Sequence, residues 1–109
     1  MAYDEGLAQR IRDILSEHSS LDEKKMFGGI AFMLQGNFAC GVNKENLVVR
    51  VAPDQYDEAL AHPHSREMDF TGRPMKGWVY VDSEGYDADQ DLAQWVGQGV
   101  DFALSKPPK

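Results

Sequence analysis

The stretch KKMFGGIAFMLQGNFACGV, residues 24–42, decides the fold predicted for this chain. Apolar residues alternate over 30–34 with the two-residue period of a β-strand. The Gln-Gly-Asn segment at 35–37 has turn chemistry. A second alternating run then places its larger side chains on one predicted face: Phe38, Cys40 and Val42. The stretch therefore predicts a β-hairpin.

The residues before and after this hairpin extend it into a larger sheet. Residues 47–51, LVVRV, follow a polar turn and predict a third strand, so the three strands form a meander. Residues 66–70 and 77–82 predict a second strand pair. The sequence thus predicts five strands.

Three helical segments accompany these strands. Residues 4–18 carry apolar side chains on one helical face, and Asp4 can cap them. A short helix over 53–61 begins at Pro53, which suits a first helical turn. A final helix is predicted with Asp87 as its cap. Its buried stripe comprises Leu92, Trp95, Val96, Gly99 and Ala103.

The resulting order is α-β-β-β-α-β-β-α, which predicts an α+β fold: a five-stranded antiparallel sheet with helices packed on one face. A chain of 109 residues is expected to form one domain, here residues 1–105, followed by a disordered Pro-rich tail at 106–109.

Composition narrows the functional classes. The net charge of −7 disfavours direct binding to nucleic acid. No run approaches the roughly 18 apolar residues of a membrane span. The N-terminal residues lack the apolar core of a signal peptide, and Cys40 has no partner for an internal disulfide. We therefore expect a cytoplasmic protein.

Three segments together resemble the N-terminal domain of the TfoX/Sxy family: 24–42, LVVRVAPDQYDEAL at 47–60 and PHSREMDFTGRPMKGWVYV at 63–81. The resemblance implies an α+β domain related to YjbR-like and secretion-chaperone-like folds. The family name comes from bacterial competence regulators that act with a cyclic-AMP-responsive transcription activator. Those regulators carry a second, C-terminal domain, and we expect this chain to be a stand-alone version of the first. The resemblance supplies no catalytic residues.

Two short motifs invite a chemical interpretation. The glycines of MFGG, Gly28 and Gly29, could form a phosphate-binding loop, but a strand follows them instead of a helix. A bulge or a close backbone approach is therefore the favoured interpretation. His62 and His64, with Cys40 and Asp69, could bind a metal, but their spacing matches no standard zinc pattern. We expect a solvated loop at the histidines and a buried Cys40, and no metal or cofactor.

The most informative segment is DFTGRPMKGW, residues 69–78. Gly72, Pro74 and Gly77 predict a turn. This turn would present cations and an aromatic side chain to an anion or an acidic partner. The candidate contact residues are Thr71, Arg73, Lys76 and Trp78, together with Arg50 on the third predicted strand.

Two functions from different classes follow. The first is a non-catalytic interaction or regulatory module that acts through a protein partner or self-association. The second is a small-ligand or anion-binding protein, or an enzyme, that uses the Arg73 and Lys76 loop. Because the sequence contains no recognisable set of nucleophile, base and orienting group, the first function is favoured.

Overall fold

An antiparallel β-sheet runs through the part of the chain that the computed structural model describes, residues 3–26, 29–67 and 77–107. Six strands lie in this part, in the spatial order β1-β2-β3-β4-β6-β5. Their bounds are β1 Leu21–Met26, β2 Gly29–Leu34, β3 Asn37–Asn43, β4 Asn46–Arg50, β5 Ser65–Glu67 and β6 Trp78–Val81. Each neighbouring pair is antiparallel.

The helices pack on one face of this sheet. They are α1 Glu5–Leu15, α2 Tyr56–Leu60 after a 3-10 turn at Pro53–Gln55, α3 Ser83–Tyr86 and α4 Asp89–Ser105. Side chains from all four helices share one core cluster with Phe32, Val49 and Val79 of the sheet. The predicted α+β class is thereby confirmed. The stripe predicted for the last helix is buried as expected.

β1 was not predicted from the sequence, so the predicted count of five strands was wrong. Four of the six residues in LDEKKM are charged, and the segment has no continuous apolar face. It nevertheless pairs with β2 along its whole length, from Leu21↔Leu34 to Met26↔Gly29. An edge strand with such charges resists pairing with other chains. Arg12 of α1 holds the strand through two 2.8 Å bonds to Glu23.

Phe38 and Cys40 were predicted to share one face of the sheet, and this prediction was wrong because β3 contains a β-bulge. Phe32 pairs with Cys40, whereas the next residue of β2, Met33, pairs with Phe38. Ala39 is therefore an extra residue in β3. Cys40 faces the helices, but Phe38 lies on the opposite face, where it joins a separate apolar cluster.

Two glycines allow backbones to approach closely. A Cβ on Gly29 would lie 1.8 Å from the carbonyl oxygen of Val42 in β3. A Cβ on Gly99 of α4 would lie 2.1 Å from the carbonyl oxygen of Ala39, at the bulge. A Cβ atom cannot lie so close to another atom. Gly29 is therefore needed where β2 lies against β3, and Gly99 is needed where α4 lies against the sheet.

The helix boundaries differ from the predicted ones. Asp4 caps α1 as expected, since its carboxylate accepts a 3.1 Å bond from the Leu7 amide. The helix ends at Leu15 and not at 18, because Ser16 caps it and the chain turns toward β1.

The predicted cap of the last helix was wrong. Ala88, not Asp87, precedes α4, because the additional short helix α3 ends at Tyr86 and Asp87 is its C-cap. Arg10 stabilises the break between the two helices. Its guanidinium donates to the carbonyl oxygens of Tyr86 and Asp87 and to the Asp89 carboxylate.

The second predicted strand pair is present in part. β5 and β6 pair from Ser65↔Val81 to Glu67↔Val79. Residues 68–76 lie outside the described part of the chain.

Two glycines of α4 provide a matched test of this packing. Gly99→Ala should destabilise the protein by about 1–3 kcal/mol, because the new methyl group overlaps the Ala39 carbonyl. Gly97→Ala should instead stabilise it by about 0.5–1 kcal/mol, because a Cβ there meets no atom within 4 Å and alanine favours the helix. Urea unfolding measures both changes. Equal changes in the free energy of unfolding for the two variants would contradict the close approach of α4 to β3 at Gly99.

Candidate binding groove

The predicted contact residues fall into two groups in the structure. Arg50 ends β4 and Trp78 begins β6, and the two residues are register partners. The other three contact residues, Thr71, Arg73 and Lys76, lie outside the described residues, as do the predicted turn residues Gly28, Gly72 and Pro74.

The guanidinium group of Arg50 lies between two aromatic rings. Its Cζ is 5.0 Å from the centroid of the Trp78 ring and 4.8 Å from that of Phe102 on α4. Such cation–π contacts contribute about 0.5–2 kcal/mol each, more where water is excluded. Burial lowers the pKa of Arg50 below its ordinary value, but arginine remains charged at neutral pH. Arg50 is thus a cation held in a partly desolvated position.

Gly77 makes room for this arrangement. Its φ of +90° is a backbone conformation that residues with a side chain rarely adopt. A Cβ there would lie 3.2 Å from Nη1 of Arg50 and 3.3 Å from the carbonyl oxygen of Val51. The Gly77 carbonyl in turn accepts a 2.8 Å bond from the Val51 amide, which fixes the start of β6 beside the end of β4.

A groove of about 470 Å³ opens beside Arg50, and we call it the Arg50 groove. Among the described residues, it is lined by Asn37, Phe38, Arg50, Trp78, Phe102, Lys106 and Pro107. Within the part of the chain that the structure describes, the lining contains two cations and no carboxylate, on a chain whose net charge is −7. The groove is therefore an electropositive site on an acidic protein.

The end of α4 is fastened to the groove by Asn37. This side chain is only 5% exposed, and its amide donates to the carbonyl oxygens of Ala103 at 3.3 Å and Pro107 at 3.1 Å. The bonds orient the segment that carries Lys106, whose Nζ lies 5.2 Å from the centroid of the Phe102 ring. Lys106 and Pro107, predicted to belong to the tail, thus contact the domain.

Sequence reasoning missed most of this lining. Phe102 and Lys106 are four residues apart, a spacing that joins side chains on one helical face, and this was the available signal. Asn37 was predicted only as a turn residue. The turn itself is made by Gln35 and Gly36, with φ of 54° and 83°. Asn37 is not one of these two turn residues and begins β3.

The two histidines lie elsewhere, in a smaller groove of about 140 Å³ against α4. His62 packs edge-on against Trp95 at 5.1 Å, and Nδ1 of His64 is 3.9 Å from a Glu84 carboxylate oxygen. Within residues 3–26, 29–67 and 77–107, no group of three or more His, Cys, Asp or Glu side chains is placed to hold a metal ion. Asp69, the fourth predicted candidate, lies outside these residues.

The described helices include none that is both long enough and apolar enough to cross a membrane.

Comparison with known proteins gives one family match. The model of the family described as the TfoX N-terminal domain matches residues 13–103 of the 109-residue chain. The matched range includes α1 from Asp13, every strand of the sheet and α4 up to Ala103. No curated protein matches the chain at a significant level.

The thiol of Cys40 should be unreactive in the folded protein. It is fully buried, and burial raises its pKa to about 12. Because the thiolate is the reactive form and an ordinary thiol has a pKa near 8.5, alkylation by iodoacetamide at a pH of about 8 should be at least about a thousandfold slower in the folded chain than in urea. Similar rates in the two states would mean that Cys40 is an accessible nucleophile.

Proposed function

Because the chain belongs to the TfoX N-terminal domain family, we propose that it is a small non-catalytic regulatory module that acts by contact with another protein. The resemblance to competence regulators supports a regulatory role. The Arg50 groove supports protein contact as the means, with an acidic segment of the partner seated against Arg50 and Lys106.

The observation that carries this proposal is the position of Arg50 between Trp78 and Phe102. Arginine and tryptophan are the side chains most enriched at the energetic centres of protein interfaces. A desolvated guanidinium attracts a carboxylate more strongly than one in bulk water does. The remainder of this acidic chain repels other anions, so an acidic partner is attracted selectively to the groove.

The positions of the residues that could act in catalysis also favour a non-catalytic function. Cys40, the chain's one thiol, is in the core with its pKa raised to about 12. His62 and His64 are in the smaller groove on the helical side, lined by residues of α3 and α4, and Arg50 is not part of its lining. The described cations and imidazoles therefore do not converge on one pocket.

A second candidate is the binding of a small anion by the loop that carries Arg73 and Lys76. The observation that favours it is the position of Gly77, the residue after Lys76, against the guanidinium of Arg50. The residue that follows Lys76 in the chain thus lies beside the groove. A small anion would occupy the same electropositive region without a protein partner.

A matched pair of arginine variants tests the contact. Arg50→Gln should reduce the amount of partner captured from a native-host lysate by about tenfold or more, since a hydrogen bond to a charged group is worth about 1.5–3 kcal/mol. Arg66→Gln is the control. Arg66 also lies over an aromatic residue of the sheet, Tyr80 at 5.2 Å, but it is not among the described residues that line the groove.

Quantitative mass spectrometry of the captured proteins measures the effect, and thermal unfolding verifies that both variants fold. Retention of every partner by Arg50→Gln would contradict the proposal. Stabilisation of the wild-type protein by phosphate or sulfate, with no protein lost from the Arg50→Gln capture, would favour the small-anion candidate.

A further inference from the structure

The Arg50 groove offers aromatic surface as well as positive charge. Trp78 is half-buried and its ring packs on Phe38, with centroids 4.5 Å apart and planes tilted by 43°. Phe102, on the other side of Arg50, is also half-buried. Both rings line the groove, so a bound group meets a cation and ring carbons together.

We infer that the groove recognises a short segment of a partner protein in which an Asp or Glu adjoins an aromatic residue. This inference rests on the proposed function and specifies its ligand. The carboxylate contacts Arg50 and Lys106. The neighbouring aromatic side chain packs against Trp78 or Phe102.

The charged part of this recognition follows from the chemistry of arginine. A guanidinium carries five N–H donors in a planar fork, and a carboxylate can accept two of them in parallel. At Arg50 the rings of Trp78 and Phe102 lie close to the same guanidinium, so a carboxylate bound there also meets aromatic surface. Lys106 adds a second cation at the same wall of the groove. The pair neutralises one or two carboxylates, which is the charge of a short acidic motif.

The size of the groove argues for the apolar part. A groove of about 470 Å³ holds many water molecules. A phosphate or sulfate ion would leave most of that water against the rings. An aromatic group attached to the carboxylate displaces it and gains the free energy of burying ring surface.

The overall charge argues against a polyanion as the ligand. Nucleic acids and other extended polyanions would meet the overall field of a chain with a net charge of −7. A peptide segment with one or two carboxylates experiences the local attraction with much less of this repulsion.

Three capped synthetic peptides that differ only at one dipeptide test the inference: Phe-Asp, Ser-Asp and Phe-Asn. Calorimetric titration of the full chain at moderate salt should give the tightest binding for Phe-Asp, with each of the others weaker by about tenfold. Arg50→Gln should remove the difference between Phe-Asp and Phe-Asn. Phe102→Leu, which removes the ring but retains an apolar side chain, should reduce the difference between Phe-Asp and Ser-Asp.

The outcomes separate this inference from the proposed function. If Phe-Asp and Ser-Asp bind equally and both require Arg50, the groove is an anion site without aromatic selectivity, so the inference fails while the proposed function stands. Binding of inorganic phosphate as tight as that of Phe-Asp, or binding of no peptide at millimolar concentration, would also overturn it. The proposed function itself fails only if Arg50→Gln still captures every partner.

Discussion

The approach of α4 to β3 at Gly99 is the contact on which the rest of the structure depends. The bulge at Ala39 directs a carbonyl oxygen toward the helix, and only a residue without a side chain can lie against it, since a Cβ would be 2.1 Å away. The same bulge turns Phe38 to the opposite face of the sheet, where it supports Trp78. One irregularity in one strand therefore fixes both the helical layer and the aromatic cluster behind it.

The groove follows from this packing. With α4 seated at Gly99, the next turn of the helix brings Phe102 over Arg50, and Asn37 fastens the last turn through the carbonyl oxygens of Ala103 and Pro107. The cation is thereby held between rings from two different elements. No residue of the groove requires an unusual chemistry. The groove places ordinary side chains where water is partly excluded, on a chain whose overall charge has the opposite sign.

The sequence predicts the regular parts of this protein better than its irregular parts. Alternation over 30–34 and the stripe from Leu92 to Ala103 identified strands and a helix because burial imposes a period on the sequence. β1 was not predicted because charged edge strands lack that period. Phe38 was assigned to the wrong face because a bulge shifts the register by one residue without a clear sequence signal. Arg50 and Trp78 were predicted as contact residues, but Phe102 and Lys106 were not, because their meeting with Arg50 depends on tertiary packing.

The most direct test of the account is the side-chain NMR signal of Arg50. Ring currents from Trp78 and Phe102 should move its Hε and Hδ protons upfield of those of an unstructured arginine in the wild-type protein. Gly97→Ala should leave these signals unchanged, whereas Gly99→Ala should return them toward the unstructured position because it displaces Phe102. Arg50 signals at the unstructured position in the wild-type protein, or signals that respond equally to the two variants, would contradict the claim that helix packing builds the groove.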